Sequence, residues 1–293
     1  MAVNGTHPLT ERLTLRTLQE EEASKVLPLS RAEGWMQTEE DWRHLIRWSD
    51  GSTYIALDQE TVVGVGAAVP YGPERGRLAN IITHPDYRRR GIGNVIVQTL
   101  LRDLRKRGIS KVDLDSTEQG QTLYERLGFL PSYLIELFMG RPKYSEATPQ
   151  PGNYEERDWE GLVHLDAEAL GVSRSHVLRD LIAENRKHVW VDRRDGAVVG
   201  YLIAVPHGTF LKIGPWIHRD ASGAQRLLEQ ALPHAGAGEV RVDVVSPNTD
   251  AAALVKDFGL KSTRVCKRMY LGSGGPIQEV PELYFGILHM ITG

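Results

Sequence analysis

The stretch RRRGIG, residues 88–93, decides how this sequence is interpreted, because it stands where a predicted strand meets a predicted helix. The first N–H groups of a helix have no partners inside the helix, and the helix dipole places partial positive charge on them. Gly91 and Gly93 leave the backbone open to a diphosphate, and the three arginines supply charge and paired donors. The pattern therefore predicts an anion site, with a basic surface turn as the alternative.

Two familiar nucleotide-binding motifs do not fit this stretch. No Gly-Lys-Ser/Thr follows it, which excludes a P-loop. A third glycine is missing and Asn94 opens an apolar run, which together exclude a dinucleotide-binding fingerprint. Hydrophobic spacing around the stretch predicts an α/β unit. Its strands are expected at 13–16, 52–58, 62–69, 78–83, 111–115 and 130–139, and its helices at 20–29, from 38 onward, at 91–107 and at 118–127.

The same order of elements returns after residues 142–153, a polar segment with three prolines that is typical of a linker. The stretches LYERLGF (123–129) and LVKDFGL (254–260) place Gly128 and Gly259 131 residues apart, and the same offset places Gly91 on Ser222. We therefore predict two copies of one unit, at 1–141 and 154–293. A single continuous α/β domain is the alternative.

The pattern Arg88-x-x-Gly91-x-Gly93 resembles the Gln/Arg-x-x-Gly-x-Gly/Ala pyrophosphate loop of the GNAT acyltransferase superfamily. The order of elements and the closing LYERLGF also resemble that family, over roughly residues 10–140. The resemblance implies the α/β (α+β) GNAT fold in each copy, a mixed, mostly antiparallel sheet flanked by helices. It also implies acetyl-CoA as cosubstrate and no metal, and the sequence shows no Cys/His metal-ligand spacing.

The resemblance also implies roles for individual residues. The backbone of the strand that ends in Ile81, Ile82 and Thr83 would leave its neighbouring strand and pair with the pantetheine amides of CoA. Tyr124 would be the catalytic residue, since its phenol can protonate the leaving CoA thiolate. The expected contacts with the CoA pyrophosphate come from the loop residues Arg88, Arg89, Arg90, Gly91, Ile92, Gly93 and Asn94.

Two positions depart from the family pattern. Many relatives carry Asn seven residues before the tyrosine, where this chain has Thr117, whose hydroxyl is the expected substitute contact to the cofactor. Many also carry a glutamate on the strand before the loop as base for the amine, and this strand has no acid or base. His84 and Asp115 are the candidate bases that remain, with an ordinary turn residue and a capping or solvated carboxylate as the alternatives.

The second copy lacks the features of a working site. Asp220 and Ala221 replace two of the three arginines, Ser222 replaces the central glycine, and Val255 stands at the tyrosine position. A carboxylate repels a diphosphate, so this half resembles the degenerate C-terminal domain of tandem bacterial GNAT proteins.

Composition limits the partners and the compartment. The net charge of −3 gives no reason to expect nucleic-acid or membrane binding, and no apolar stretch approaches the ~20 residues that span a bilayer. One cysteine and no secretory signal pattern predict a cytoplasmic protein. The oligomeric state stays open, with a monomer whose two copies form a pseudo-dimer as one option.

The sequence is thus interpreted as an N-acetyltransferase that moves an acetyl group from acetyl-CoA directly to a primary amine of a small-molecule or peptide acceptor. Because the strand glutamate is missing, the alternative is a non-catalytic acyl-CoA-binding sensor or scaffold.

Overall fold

The computed structural model describes residues 12–143, 148–272, 275 and 278–287, which fall into two compact units. The first unit contains the described residues up to 114, together with 122–129 and 271–272. The second contains 115–121, 130–270, 275 and 278–287. Each unit is described by itself below.

The first unit is built on five strands in the order β1-β2-β3-β4-β5. Neighbouring strands are antiparallel except β4 and β5, which are parallel. The strands are β1 (Thr14–Thr17), β2 (Thr53–Asp58), β3 (Thr61–Tyr71), β4 (Arg75–Thr83) and β5 (Lys111–Ser116). The helices are α1 (Leu27–Ala32), α2 (Glu39–Trp48), α3 (Ile92–Lys106) and α4 (Glu118–Arg126).

Two features of these helices follow from single residues. Thr38 and Asp41 form the capping box that starts α2, since each side chain accepts a hydrogen bond from the other residue's backbone N–H. The predicted helix at 20–29 is wrong in detail. It is a 3₁₀ turn (Glu20–Val26) followed by α1, whose first turn holds Pro28, a residue that fits only at a helix start.

Glycines of β3 let helix α3 lie close to the sheet. A Cβ added to Gly64 would lie 2.9 Å from Ile92 and Ile96 side-chain atoms, and one added to Gly66 would lie 2.6 Å from Ile96. The buried apolar face of α3 therefore packs directly on the strand backbone. This close packing fixes the start of α3 relative to the end of β4.

The second unit has a sheet in the order β11-β6-β10-β9-β8-β7, with β12 paired to β9. Its strands are β6 (Leu130–Gly140), β7 (Val189–Arg194), β8 (Ala197–His207), β9 (Phe210–His218), β10 (Glu239–Val245), β11 (Lys261–Leu271) and β12 (Tyr284–Gly286). Its helices are α5 (Trp159–Leu170), α6 (Ser175–Asn185), α7 (Ala221–Ala231) and α8 (Thr249–Asp257).

Strand β6 precedes the proline-containing segment in sequence, yet both of its edges pair with strands that follow that segment. It is antiparallel to β10, with Gly140 opposite Val240, and antiparallel to β11, with Tyr270 opposite Leu130. The compact second unit therefore begins before the end of the first sequence repeat. The spacing of apolar residues that predicted β6 carries no information about which strands it pairs with.

None of the helices in the described residues is long and apolar enough to cross a bilayer.

Candidate active site

The first unit has a gap between β4 and β5. The two strands pair only from Arg75 to Arg77 of β4, opposite Lys111 to Asp113 of β5. A bulge interrupts the β3–β4 pairing at Gly66, because Val65 lies opposite Ile82 and Ala67 lies opposite Ala79. The part of β4 from 78 to 83 thus has a partner in β3 but none in β5. This is the separation of strands that the resemblance implies for Ile81, Ile82 and Thr83.

The backbone from residue 89 to the first turn of α3 presents N–H groups that have no acceptor among the described residues. Gly91 is the residue before α3 and has φ +85°, and Arg89 has φ +61°. Within the described part of the chain, no backbone carbonyl or side chain accepts a hydrogen bond from the N–H groups of residues 89–94. These donors lie at the positive end of the α3 dipole, and an anion is the ligand that fits them.

The three arginines of the loop have different surroundings. Arg88 forms an ion pair with Glu33, at the C-terminal end of α1, and its Nε donates to the carbonyl of Thr83 at 3.3 Å. The guanidinium of Arg90 lies 5.2 Å from the centre of the Tyr87 ring. Arg88 therefore fastens the loop to its own unit, and the structure shows no ion pair for Arg89 or Arg90 among the described residues.

Gly93 brings the loop, the end of β4 and helix α4 together. A Cβ at Gly93 would lie 3.3 Å from Leu123 Cδ2 and 3.5 Å from Thr83 Oγ1. Leu123 directly precedes Tyr124, so the candidate acid lies on the helix that contacts the start of α3. The sequence pattern predicted that Thr83, Gly93 and Tyr124 belong to one site. In the first unit, the end of β4, the start of α3 and helix α4 lie close to one another.

Tyr124 is buried and its ring packs edge-on against Phe129, with 5.8 Å between the ring centres. Burial raises the pKa of its phenol well above the ordinary value. The structure gives its hydroxyl no hydrogen-bond partner among the described residues. The phenol is therefore protonated at neutral pH and its proton is not committed to another group.

Sequence reasoning missed Asn80, which lies in the β4 bulge. Its φ is +51°, a conformation that Asn tolerates better than most residues, and its side chain is buried. Its amide Nδ2 has no hydrogen-bond partner among the described residues. An unpaired buried donor costs free energy, so a ligand oxygen is the kind of group that would satisfy it. The signal available in the sequence was an Asn inside an apolar strand.

The remaining candidates are less well placed for proton transfer. His84 caps the 3₁₀ turn Pro85–Tyr87, where its Nδ1 accepts from the N–H of Asp86 at 3.3 Å. The Asp115 side chain is buried and bound by Arg268, whose Nε lies 2.6 Å from Oδ1, so the carboxylate is not solvated. Thr117 lies in segment 115–121 of the second unit, where its carbonyl accepts from Gly120.

The second copy starts its corresponding helix differently from the predicted alignment. Helix α7 begins after Asp220 as α3 begins after Gly91, so the residue equivalent to Gly91 is Asp220 rather than Ser222. The constant offset of 131 residues is wrong at this helix start, because the loop after β9 is shorter than the loop after β4. The same offset does relate Gly128 to Gly259, which both have positive φ. The Asp220 carboxylate accepts a hydrogen bond from the N–H of Gly223 at 2.7 Å, and this bond lowers the pKa of the carboxyl group. A protein anion thus occupies this helix start.

Two family models match the chain in tandem. The Acetyltransferase (GNAT) family matches residues 16–129, and an Acetyltransferase (GNAT) domain matches residues 162–285. The chain belongs to the GNAT superfamily. It is a tandem GNAT protein, in which each copy has helices flanking a mixed sheet, as predicted.

Relatives of this GNAT protein align with it over most of its length. The Uncharacterized N-acetyltransferase YitH of Bacillus subtilis is 24% identical over 271 residues, which are 89% of this chain and 93% of that protein. A crystal structure from Pyrococcus horikoshii, described as a candidate acetyltransferase, superposes with a TM-score of 0.79 at 23% identity and covers 97% of this chain and 96% of its own. A tandem GNAT protein from the clavulanic acid biosynthesis pathway superposes with a TM-score of 0.64 at 16% identity, and the match covers 90% of this chain and 99% of that chain.

Proposed function

We propose that this GNAT protein is an N-acetyltransferase that transfers the acetyl group of acetyl-CoA directly to a primary amine, at a site in its first copy. The observation that carries the proposal is the edge of β4 from residue 78 to 83 that is not paired with β5. The chain then continues to residues 89–94, whose N–H groups have no acceptor among the described residues. An edge of that kind suits the amides of a pantetheine arm, and the loop suits a diphosphate.

The residues present fit acetyl-CoA. The backbone of Ile81, Ile82 and Thr83 would pair with the pantetheine, and the N–H groups from Arg89 to Asn94 would bind the diphosphate. Arg88 supports the loop through Glu33, while Arg89 and Arg90 add positive charge. Any side chain at Gly93 would be pressed against Leu123, so the glycine keeps the loop close to α4.

The chemistry assigned to the site is a single direct transfer. The neutral amine attacks the thioester carbonyl, and a backbone N–H of the free strand edge stabilises the oxyanion that develops. The C–S bond then breaks, and the phenol of Tyr124 gives its proton to the departing thiolate. The nitrogen loses one proton as the amide forms, which balances the proton that the phenol gives up. The amine must lose a proton before attack. Of the two candidate bases, Asp115 is held by Arg268, which leaves His84 as the more available group.

Shorter relatives support an amine acceptor. The [Ribosomal protein bS18]-alanine N-acetyltransferase of Escherichia coli is 31% identical over 98 residues, which are 29% of this chain and 66% of that enzyme. A glucosamine 6-phosphate N-acetyltransferase of Trypanosoma brucei brucei is 37% identical over 54 residues, 18% of this chain and 37% of that enzyme. One name specifies an amino acid of a protein and the other an amino sugar, so their shared feature is a primary amine.

A non-catalytic acyl-CoA sensor is the rival function, because β4 carries no acid or base beside the gap. Thiol release from acetyl-CoA, followed with a panel of amines that includes polyamines, amino acids, amino sugars and peptides, separates the two. An acetyltransferase releases CoA only with an acceptor. A sensor binds acetyl-CoA in calorimetry and releases none with any amine of the panel.

A further inference from the structure

The second copy also has a gap between its two parallel strands, but there the gap is filled. Strands β9 and β10 pair only from Phe210 to Ile213, opposite Glu239 to Val242. Beyond that point β12 pairs antiparallel with β9, and the N–H of Ile287 donates to the carbonyl of Asp243 at 2.9 Å. Segment 282–287, which contains β12, therefore lies between the strands that correspond to β4 and β5.

One side chain binds the backbone of this segment. The amide Nδ2 of buried Asn248 donates to the carbonyl of Glu282 at 2.8 Å and to that of Tyr284 at 2.7 Å. Its Oδ1 accepts from the N–H of Ala251 at 2.9 Å and so caps α8. Recognition through main-chain carbonyls is the way a sheet edge binds an added peptide strand.

The side chains of the segment are anchored on either side of the backbone. Tyr284 and Phe285 are almost fully buried, and the Phe285 ring lies 5.3 Å from that of Trp216. The next residue is Gly286, where a Cβ would lie 3.0 Å from Val242 and 3.5 Å from the carbonyl of Ile213. The groove therefore accepts two aromatic side chains and then a residue without one.

Other groups take up the rest of the corresponding site. The His218 ring fills the space between β8 and α7, since a Cβ on Gly200 or Gly223 would lie within 2 Å of it. Its Nδ1 accepts from the N–H of Asp220 at 3.0 Å, and Asp220 itself caps α7. In the first copy the equivalent residue is Gly91, which has no side chain.

We propose that the second copy is a binding site for an extended peptide strand, and that segment 282–287 is its resident ligand. The segment lies where, on the function proposed above, the first copy takes the pantetheine arm of acyl-CoA. In the same way, the Asp220 carboxylate lies at the start of α7, where the first copy would bind the diphosphate. The second copy has thus kept the strand gap of the fold and changed the class of molecule that fills it.

The test uses the full chain with a protease recognition sequence introduced between Gly272 and Gln278. After cleavage, the C-terminal piece should stay bound through size-exclusion chromatography at one per chain. A labelled synthetic peptide of residues 278–293 should exchange with it slowly. Removing the piece with mild denaturant should lower the unfolding temperature, and adding the peptide back should restore it.

Two substitutions in the cleavable chain make the test specific. Gly286→Leu should speed loss of the piece about tenfold or more, because overpacking a filled site is costly. Val280→Ser lies in the same piece, but the Val280 side chain is exposed, so this control should leave retention unchanged. A scrambled peptide should not restore stability.

Three results would overturn the proposal. The piece could leave with no change in unfolding temperature, or its removal could unfold the chain in a way that added peptide does not reverse, as for an ordinary core strand. Alternatively, calorimetry on the intact chain could show two acetyl-CoA molecules per chain. Retention of the piece together with no acetyl-CoA binding would count against the proposed acetyltransferase function alone.

Discussion

At the scale of single residues, the protonation of Tyr124 decides what it can do. Its raised pKa keeps the phenol protonated, because a group whose pKa lies above the ambient pH retains its proton. An acid catalyst must hold a proton at the moment the thiolate leaves. Tyr124 satisfies that condition over the whole neutral range.

We expect Tyr124→Phe to lower kcat by about 10²–10⁴-fold with little change in the affinity for acetyl-CoA. The substitution removes the proton but keeps the ring packed on Phe129. Single-turnover thiol release measures the first quantity and calorimetry the second. In the wild-type protein, Tyr124 should not cause a fall in kcat below about pH 10, its ordinary pKa. Unchanged turnover of the variant, when chemistry limits the rate, would remove Tyr124 from the mechanism.

The loop at Gly91 allows a matched comparison with Gly108. Both glycines have positive φ, +85° and +83°, so any side chain strains both positions by roughly 1–2 kcal/mol. Gly91→Glu should abolish acetyl-CoA binding, because its carboxylate would face the diphosphate. Gly108→Glu places the same charge after the opposite end of α3 and should bind normally. Equal loss of affinity in both variants would mean that strain, not the anion site, explains the effect.

The sequence patterns identified some residues of the candidate site and missed others. Gly91 and Tyr124 could be selected because they stand in motifs with fixed spacing. The constant offset missed the position of Asp220 by two residues, since such an offset assumes loops of equal length. Asn80 was not selected, although an Asn inside an apolar strand is visible in the sequence. Its importance depends on a bulge, and on an amide without a partner among the described residues, which only packing reveals.

At the scale of elements, β6 makes the two sequence repeats interdependent. In a fragment that ends at residue 141, β6 would have neither β10 nor β11 beside it. Unpaired strand edges promote association between chains.

We expect fragment 1–141 to be poorly soluble although it retains the loop at Gly91. Fragment 1–129, which ends before β6, should stay in solution at higher concentration because it lacks the unpaired strand. Sedimentation of both fragments at matched concentrations measures the difference. A monomeric, soluble 1–141 fragment that acetylates its acceptor as well as the whole protein would contradict this account.

The elements of each repeat could largely be predicted, because their apolar spacing reflects local geometry. Helix α3 was expected at 91–107 and runs from Ile92 to Lys106. The partners of β6 could not be predicted, since pairing depends on which edges meet in space. Strand β12 has only three residues, too few to show the alternation of apolar and polar residues that indicates a strand. It is bound by Asn248, which lies 36 residues before Tyr284 in the sequence.

At the scale of the whole molecule, the two copies differ in what their gaps contain. Among the described residues, nothing pairs with the edge of β4 that faces the gap or accepts from the N–H groups of residues 89–94 in the first copy. The second copy has β12 and Asp220 at the corresponding places. Val255, buried on α8, stands where the first copy has Tyr124. The corresponding strand gaps of the two copies therefore differ in the groups that line or fill them.

We expect one acetyl-CoA molecule per chain, bound in the first copy. Isothermal titration calorimetry of the full chain should give a stoichiometry near one, and Gly91→Glu should reduce it to zero. Asp220→Asn leaves the first copy untouched and should keep the stoichiometry at one. Residual binding in the Gly91→Glu chain would place a cofactor site outside the first copy.

The pairing of β6 also governs the order in which the chain can fold during synthesis. Gly140 lies opposite Val240, so β6 leaves the ribosome about 100 residues before its first partner. At translation rates of about 5–20 residues per second, the strand waits roughly 5–20 s with both edges open. The nascent chain is therefore exposed to chaperones and to neighbouring nascent chains at this strand. Chains arrested near residue 200 should show β6 cleaved readily by protease, whereas chains arrested well after residue 271 should protect it.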